Sequence, residues 1–248
     1  MKRAGKNIRR WACPGAAVLC LLAGAVSAGD ILPPEVRYLG QQPPGMTPEI
    51  FAPGIVSTDA WEASGTFSPD FREYYFTRRP DHEGRDNRIM YMYYSGGRWN
   101  GPEPAPFGVD AMEFEPFITP DGEKLYFNSE RPDPESGSTE DEIWYCERTP
   151  DGWRGPMLAC DEINRGFAMY VSSTAEGMLY FTGVYGRQMG VYRAMPGEDG
   201  CTEPEYLPGG INDVRGASHP FVAPDESYVI FDAQPSGMLR PELFISFN

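Results

Sequence analysis

The sequence predicts an all-β fold, a β-propeller of four-stranded antiparallel blades, on three observations. One nine-residue pattern recurs in four copies, S-P-D-F-R-E-Y-Y-F, T-P-D-G-E-K-L-Y-F, S-T-A-E-G-M-L-Y-F and A-P-D-E-S-Y-V-I-F. The phenylalanines that close them, Phe76, Phe127, Phe181 and Phe231, are 51, 54 and 50 residues apart, and a fixed period of that size marks a repeat architecture. Pro and Gly, 25 and 28 of them, punctuate the chain too often for long helices, and each interval has room for four short strands, the content of one blade.

Residues 1–28 read as a secretory signal peptide. Lys2, Arg3, Lys6, Arg9 and Arg10 form a positive start, 16–26 is an apolar stretch too short to span a bilayer, and Val26-Ser27-Ala28 offers small residues for cleavage. Neither Cys13 nor Cys20 fits a lipoprotein box, so a free periplasmic or extracellular protein is expected, without membrane insertion of the mature chain. Residues 29–57 form a lead-in segment, followed by blades at about 58–106, 107–160, 161–210 and 211–248.

The second copy shows the logic of a blade. Phe114 to Thr119 is a short β-favouring run, Pro120-Asp121-Gly122 is a tight turn, and Lys124 to Asn128 returns as the second strand. A polar loop precedes a third strand from Asp141 to Arg148. Pro150-Asp151-Gly152 turns again, and Trp153 opens the fourth. The third strand recurs from Arg88, Met189 and Pro241. The fourth recurs from Trp99 and from Cys201, which therefore reads as a small apolar filler where the other blades carry tryptophan. Tyr75, Tyr126, Tyr180 and Ile230 share one phase and the phenylalanines the other, as expected of a sheet buried on both faces.

The S/T-P-D-G-x-x-L-Y-F strand pair, the D-I-W-like third strand and the G-x-W-x-x-P exit resemble the WD40-like propeller repeats of TolB-like exported bacterial proteins. The stretch from Tyr38 to Ser57 resembles the lead-in of other exported members. The resemblance runs from Tyr38 to the end and implies a binding scaffold. It departs from the pattern at Thr174-Ala175-Glu176 and again in the fourth copy, where no fourth strand follows Phe231. Two readings account for the fourth copy. Either the chain is a C-terminally truncated part of a five-bladed propeller, or a strand within 47–56 closes the ring by completing blade four.

Composition narrows the partners. The formal charge of −15 becomes −20 once the five basic residues of the signal are removed, which disfavours nucleic acid and anionic lipid. Cys146, Cys160 and Cys201 remain in the mature chain, so at most one disulfide is expected; Cys146 with Cys160 is one pairing, although the hairpin register does not set them opposite each other. With only His82 and His219, no zinc spacing occurs.

The longer loops, such as 78–87 and 129–140, fall at the end of the disc away from the tight turns, and that end is the default recognition face. Residues entering the innermost strands align there: Glu62 with Glu113 and Phe167, and Ser64 with Glu115, Met169 and His219. Glu62, Glu113, Glu115 and His219, with Arg78, Arg79 and Arg131 on adjoining loops, form the candidate ligand-binding constellation. No cofactor is expected, although the carboxylates are compatible with a divalent cation such as calcium.

The expected function is a monomeric binding module for a protein or glycan, without catalysis. The alternative is a carbohydrate-active hydrolase or lyase using these acids. No G-x-S-x-G elbow occurs, His82-Glu83-Gly84-Arg85-Asp86 misses H-E-x-x-H at its last position, and 133–142 lacks EF-hand spacing. Ser218 and His219, adjacent on one strand, are expected on opposite faces and so form no dyad.

Overall fold

The structure, a computed structural model, describes residues 31–237 and 239–248. The predicted signal peptide, with Cys13 and Cys20, lies outside the described residues. Blade 1 comprises β1 (Trp61–Phe67), β2 (Glu73–Arg79), β3 (Arg88–Ser95) and β4 (Arg98–Pro104). Blade 2 comprises β5 (Glu113–Ile118), β6 (Lys124–Ser129), β7 (Glu142–Thr149) and β8 (Gly152–Leu158). A short helix α1 (Asp161–Asn164) leads into blade 3, built from β9 (Phe167–Ser173), β10 (Leu179–Tyr185), β11 (Gln188–Ala194) and, after a small hairpin of β12 (Pro196–Gly197) and β13 (Gly200–Cys201), β14 (Glu205–Tyr206). Blade 4 holds β15 (Ser218–Val222), β16 (Tyr228–Ala233) and β17 (Glu242–Phe247).

Within the four blades the pairings are antiparallel and follow chain order apart from the inserted β12–β13 hairpin, and the innermost strands β1, β5, β9 and β15 lie side by side around one axis. The fold is an all-β propeller of four blades.

The repeated turn explains itself at the atomic level. Asp121 Oδ1 accepts hydrogen bonds from Thr119 Oγ1 (2.6 Å) and the Glu123 amide (3.0 Å), and Gly122 takes the left-handed φ of 78° that the turn needs. Ser68 with Asp70 repeats the arrangement. The divergent third copy still turns: Gly177, at φ 90°, donates its amide to the Thr174 carbonyl, and Thr174 Oγ1 accepts from the Met178 amide.

Each blade is apolar on both faces, as the two-phase pattern predicts. Tyr75 and Ile89 of blade 1 pack on Leu125, Phe127 and Trp144 of blade 2. Tyr126 and Ile143 of blade 2 pack on Phe181 and Tyr192, and Tyr180 and Val191 of blade 3 pack on Val229 and Phe231. The tyrosine phase thus faces the next blade, and the phenylalanine phase faces the one before. Among the described residues no blade precedes blade 1; Leu39, Phe51, Ala52 and Val56 of the lead-in cover its Tyr74, Phe76 and Met92. Residues 47–56 add no strand to blade 4, whose sheet contains β15, β16 and β17.

The fourth strand of blade 3 differs from expectation. It forms at β14, after the added hairpin, and Cys201 on that hairpin bonds to Cys160 with Cα atoms 5.8 Å apart. Cys201 is therefore not the apolar filler its alignment with Trp99 and Trp153 suggested. Among the described residues Cys146 is the free thiol, and it is buried. Among the described residues, no helix is long and apolar enough to cross a membrane.

Candidate functional site

Every innermost strand breaks its register at the same place. Pairing slips between Ala63 and Thr66, between Phe114 and Phe117, opposite Tyr180 and Thr182, and between Ser218 and Phe221. The extra residue at each bulge is Ser64, Glu115, Tyr170 or His219, with φ of 54°, 57°, 57° and 50°. Left-handed φ at non-glycine residues costs energy, and here it recurs in all four blades around the axis.

Three of the bulges are held by the preceding blade, through the residue that follows each repeated phenylalanine. The Glu115 amide donates to Thr77 Oγ1 (2.9 Å), the Tyr170 amide to Asn128 Oδ1 (3.3 Å) and the His219 amide to Thr182 Oγ1 (2.8 Å). The fourth residue of this series, Asp232, turns back within its own blade. Its Oδ1 accepts from Ser218 Oγ (2.7 Å) and lies 2.8 Å from His219 Nδ1. The expectation that Ser218 and His219 point to opposite faces fails here, because the bulge breaks the alternation and brings both side chains to one carboxylate.

Three of the four bulge residues, Ser64, Glu115 and Tyr170, line a small cavity of about 80 Å³ on the axis, which Phe117 and Phe221 also bound. Through Phe117 and Phe221 it continues into an apolar funnel of about 460 Å³, where Phe67, Phe71 and Ile118 meet the prolines of three tight turns. The axial opening formed by these two cavities therefore lies on the tight-turn end of the disc. Glu115 Oε2 is buried without a hydrogen-bond partner from the protein. Burial, and then the nearby Asp141 carboxylate, push the Glu115 carboxyl up to about 8, and the Tyr170 amide offsets this in part. At neutral pH the group is therefore mostly protonated and can donate as well as accept. Burial likewise pushes Asp141 up to about 6. The Tyr170 ring meets His219 edge-on at 5.1 Å.

The remaining residues singled out in the sequence lie elsewhere. Glu62 pairs with Arg78 at 3.0 Å and accepts from Thr58, while Arg78 also donates to the carbonyls of Ile55 and Val56, tying the lead-in to blade 1. Arg79 lies over the Trp61 ring and caps the carbonyls of Asp81 and His82. Glu113 and Arg131 form a buried ion pair between blades 1 and 2, with Arg131 against Phe127 and Trp144. Burial pushes the Glu113 carboxyl up and the Arg131 contact pulls it back. Of the seven, Glu115 and His219 belong to the axial ring. Glu62 and Glu113 are each engaged by an arginine in a separate environment. Among the described residues, one set of metal-ligating side chains converges, Cys160, Glu162 and Cys201, and its two sulfurs form the disulfide.

Tyr170, Phe221 and Asp232 were missed in the sequence. The signal that could have found Asp232 is the position after the repeated phenylalanine, which reads Thr, Asn, Thr, Asp.

Solved structures with a similar backbone include TolB from Acinetobacter baumannii (17% identity, TM-score 0.46, 76% of this chain and 41% of that one). Others are a putative TolB from Agrobacterium tumefaciens (14%, TM-score 0.52, 77% and 59%) and a puromycin-hydrolyzing peptidase from Mycobacterium tuberculosis (15%, TM-score 0.46, 78% and 28%). The chain spans about two-fifths to three-fifths of the length of the two TolB structures. No protein-family model and no curated protein matches it. The likeness is one of fold, the β-propeller.

Proposed function

We propose that the protein is an exported, non-catalytic binding module that receives a side chain of a protein partner in its axial funnel. The observation that carries this reading is the combination of an apolar mouth with a buried, unpartnered Glu115 oxygen at its base. Such a shape suits a group with an apolar body and a polar tip, which would shed water on entry and satisfy the lone oxygen. A cavity of about 80 Å³ at Glu115 takes a side-chain tip rather than a sugar ring, which favours binding over glycoside chemistry at this carboxyl. An acidic, signal-bearing chain is in keeping with a soluble partner outside the cytoplasm.

The test is photocrosslinking in the native host with benzoylphenylalanine in place of Phe221, and at Met189 on the outer surface as control. A discrete protein adduct at 221, absent at 189 and lost when Glu115→Ala is added, is expected. Identical adducts at both positions, or none at 221, would rule the reading out.

A further inference from the structure

A second cleft, of about 540 Å³, opens on the same tight-turn end between blades 1 and 2 and shares only the Ser68–Pro69 turn with the axial funnel. Tyr91, Tyr93 and Tyr94 of β3 form one wall; Gly122, Arg148 and Thr149 of blade 2 contribute the other. The rings of Tyr75, Tyr91 and Tyr93 stack in series, with centroids 4.7 and 5.3 Å apart and planes within 26° and 20° of parallel. This aromatic ladder climbs from the fully buried Tyr75 to the half-buried Tyr93 in the cleft.

Most of the charged groups that line the cleft are engaged within the protein, while Glu123 adds a further carboxylate to the lining. Glu73 accepts both Arg148 amino groups, at 3.0 and 2.6 Å, while Arg148 lies 3.7 Å over the Trp153 ring. Asp70 accepts from Ser68 Oγ at 2.5 Å and from the Arg72 amide at 3.0 Å. Asp121 is committed to its own turn through Thr119 and Glu123. An anionic ligand would have to displace Glu73 from Arg148 and would face the carboxylates of Asp70, Asp121 and Glu123. A neutral polyhydroxylated ligand breaks none of these contacts. Its ring face can lie on tyrosine, and its hydroxyls can donate to the carboxylate edges and accept from the guanidinium. The cleft also falls within the roughly 300–1,000 Å³ usual for small-ligand sites.

We propose that this cleft binds a neutral oligosaccharide, with Tyr93 as the stacking platform and the Glu73–Arg148 pair as the hydrogen-bonding wall. The proposal is independent of the axial reading, since Glu115 takes no part in it.

Calorimetric titration of the full chain with cellohexaose, chitohexaose, maltohexaose and mannohexaose tests it. At least one is expected to bind. Tyr93→Ala should weaken that binding about tenfold or more, while Tyr93→Phe, which keeps the ring, should stay within about threefold. Glu115→Gln should leave it unchanged, which separates failure here from failure of the axial reading. The proposal is overturned if none of the four binds at millimolar concentration, or if Tyr93→Ala binds like the parent chain. Binding of hexalysine in place of every sugar would also overturn it and assign the cleft to a cationic segment.

Discussion

Blade 1 and blade 4 stand at the two ends of the blade series, and they treat the same apolar pattern in opposite ways. On blade 1 the outward face carries Tyr74, Phe76 and Met92, and the lead-in closes over it so fully that Phe76 is 1% exposed. On blade 4 the outward face pairs Tyr228 with Phe247, Ile230 with Ile245 and Asp232 with Leu243. These are the positions that seat the next blade elsewhere, as Tyr75–Tyr91 and Tyr126–Tyr145 do. Here Leu243, Ile245 and Phe247 are 79%, 50% and 72% exposed. The pattern in the sequence marks which faces are apolar, and packing alone decides which of them becomes core.

The sharpest way to break this contrast is Phe76→Ala. Emptying a fully buried phenylalanine site should cost about 3–5 kcal/mol, read as a lower denaturation midpoint in urea. A loss below about 1 kcal/mol would mean that the lead-in is not a true core layer.

An effect that appears only as a pH dependence is expected midway, at the axis. Glu115 titrates higher in the folded chain than its ordinary 4.5, at about 8. Between those values the folded state holds a proton that the unfolded state has released, so stability falls as pH rises through this window. Its contribution is fully present below the ordinary carboxyl range and lost above about 8. Glu115→Gln should therefore flatten the decline in midpoint from pH 5 to 9, and an unchanged slope would show that Glu115 is not the group responsible.

The smallest effect belongs to the far end. Phe247→Ser should change stability by no more than about 0.5 kcal/mol, because little is buried there to lose. It should also reduce self-association at high protein concentration, measured by sedimentation, since an exposed apolar sheet face is adhesive. A large destabilisation by Phe247→Ser would instead place that face in a core.

The fold was legible because two devices repeat in register, the Ser/Thr-Pro-Asp turn and the Tyr-Phe phase. The disulfide was not, because the hairpin that carries Cys201 belongs to one blade and breaks the period. Of the axial ring, Glu115 and His219 could be read from alignment of the inner strands. In the third blade the same alignment gave Met169 where the structure has Tyr170, one residue on, because the turn between β9 and β10 is one residue shorter than its counterparts in the other blades. A strict period of two, which does not anticipate a bulge, placed Ser218 and His219 on opposite faces.

The series Thr77, Asn128, Thr182 has a temporal consequence. Blades 1, 2 and 3 each carry, on the second strand, the acceptor for the strained amide of the blade that follows. A chain emerging N-terminus first can therefore set its blades one at a time, each finished blade acting as the template on which the next inner strand is bent.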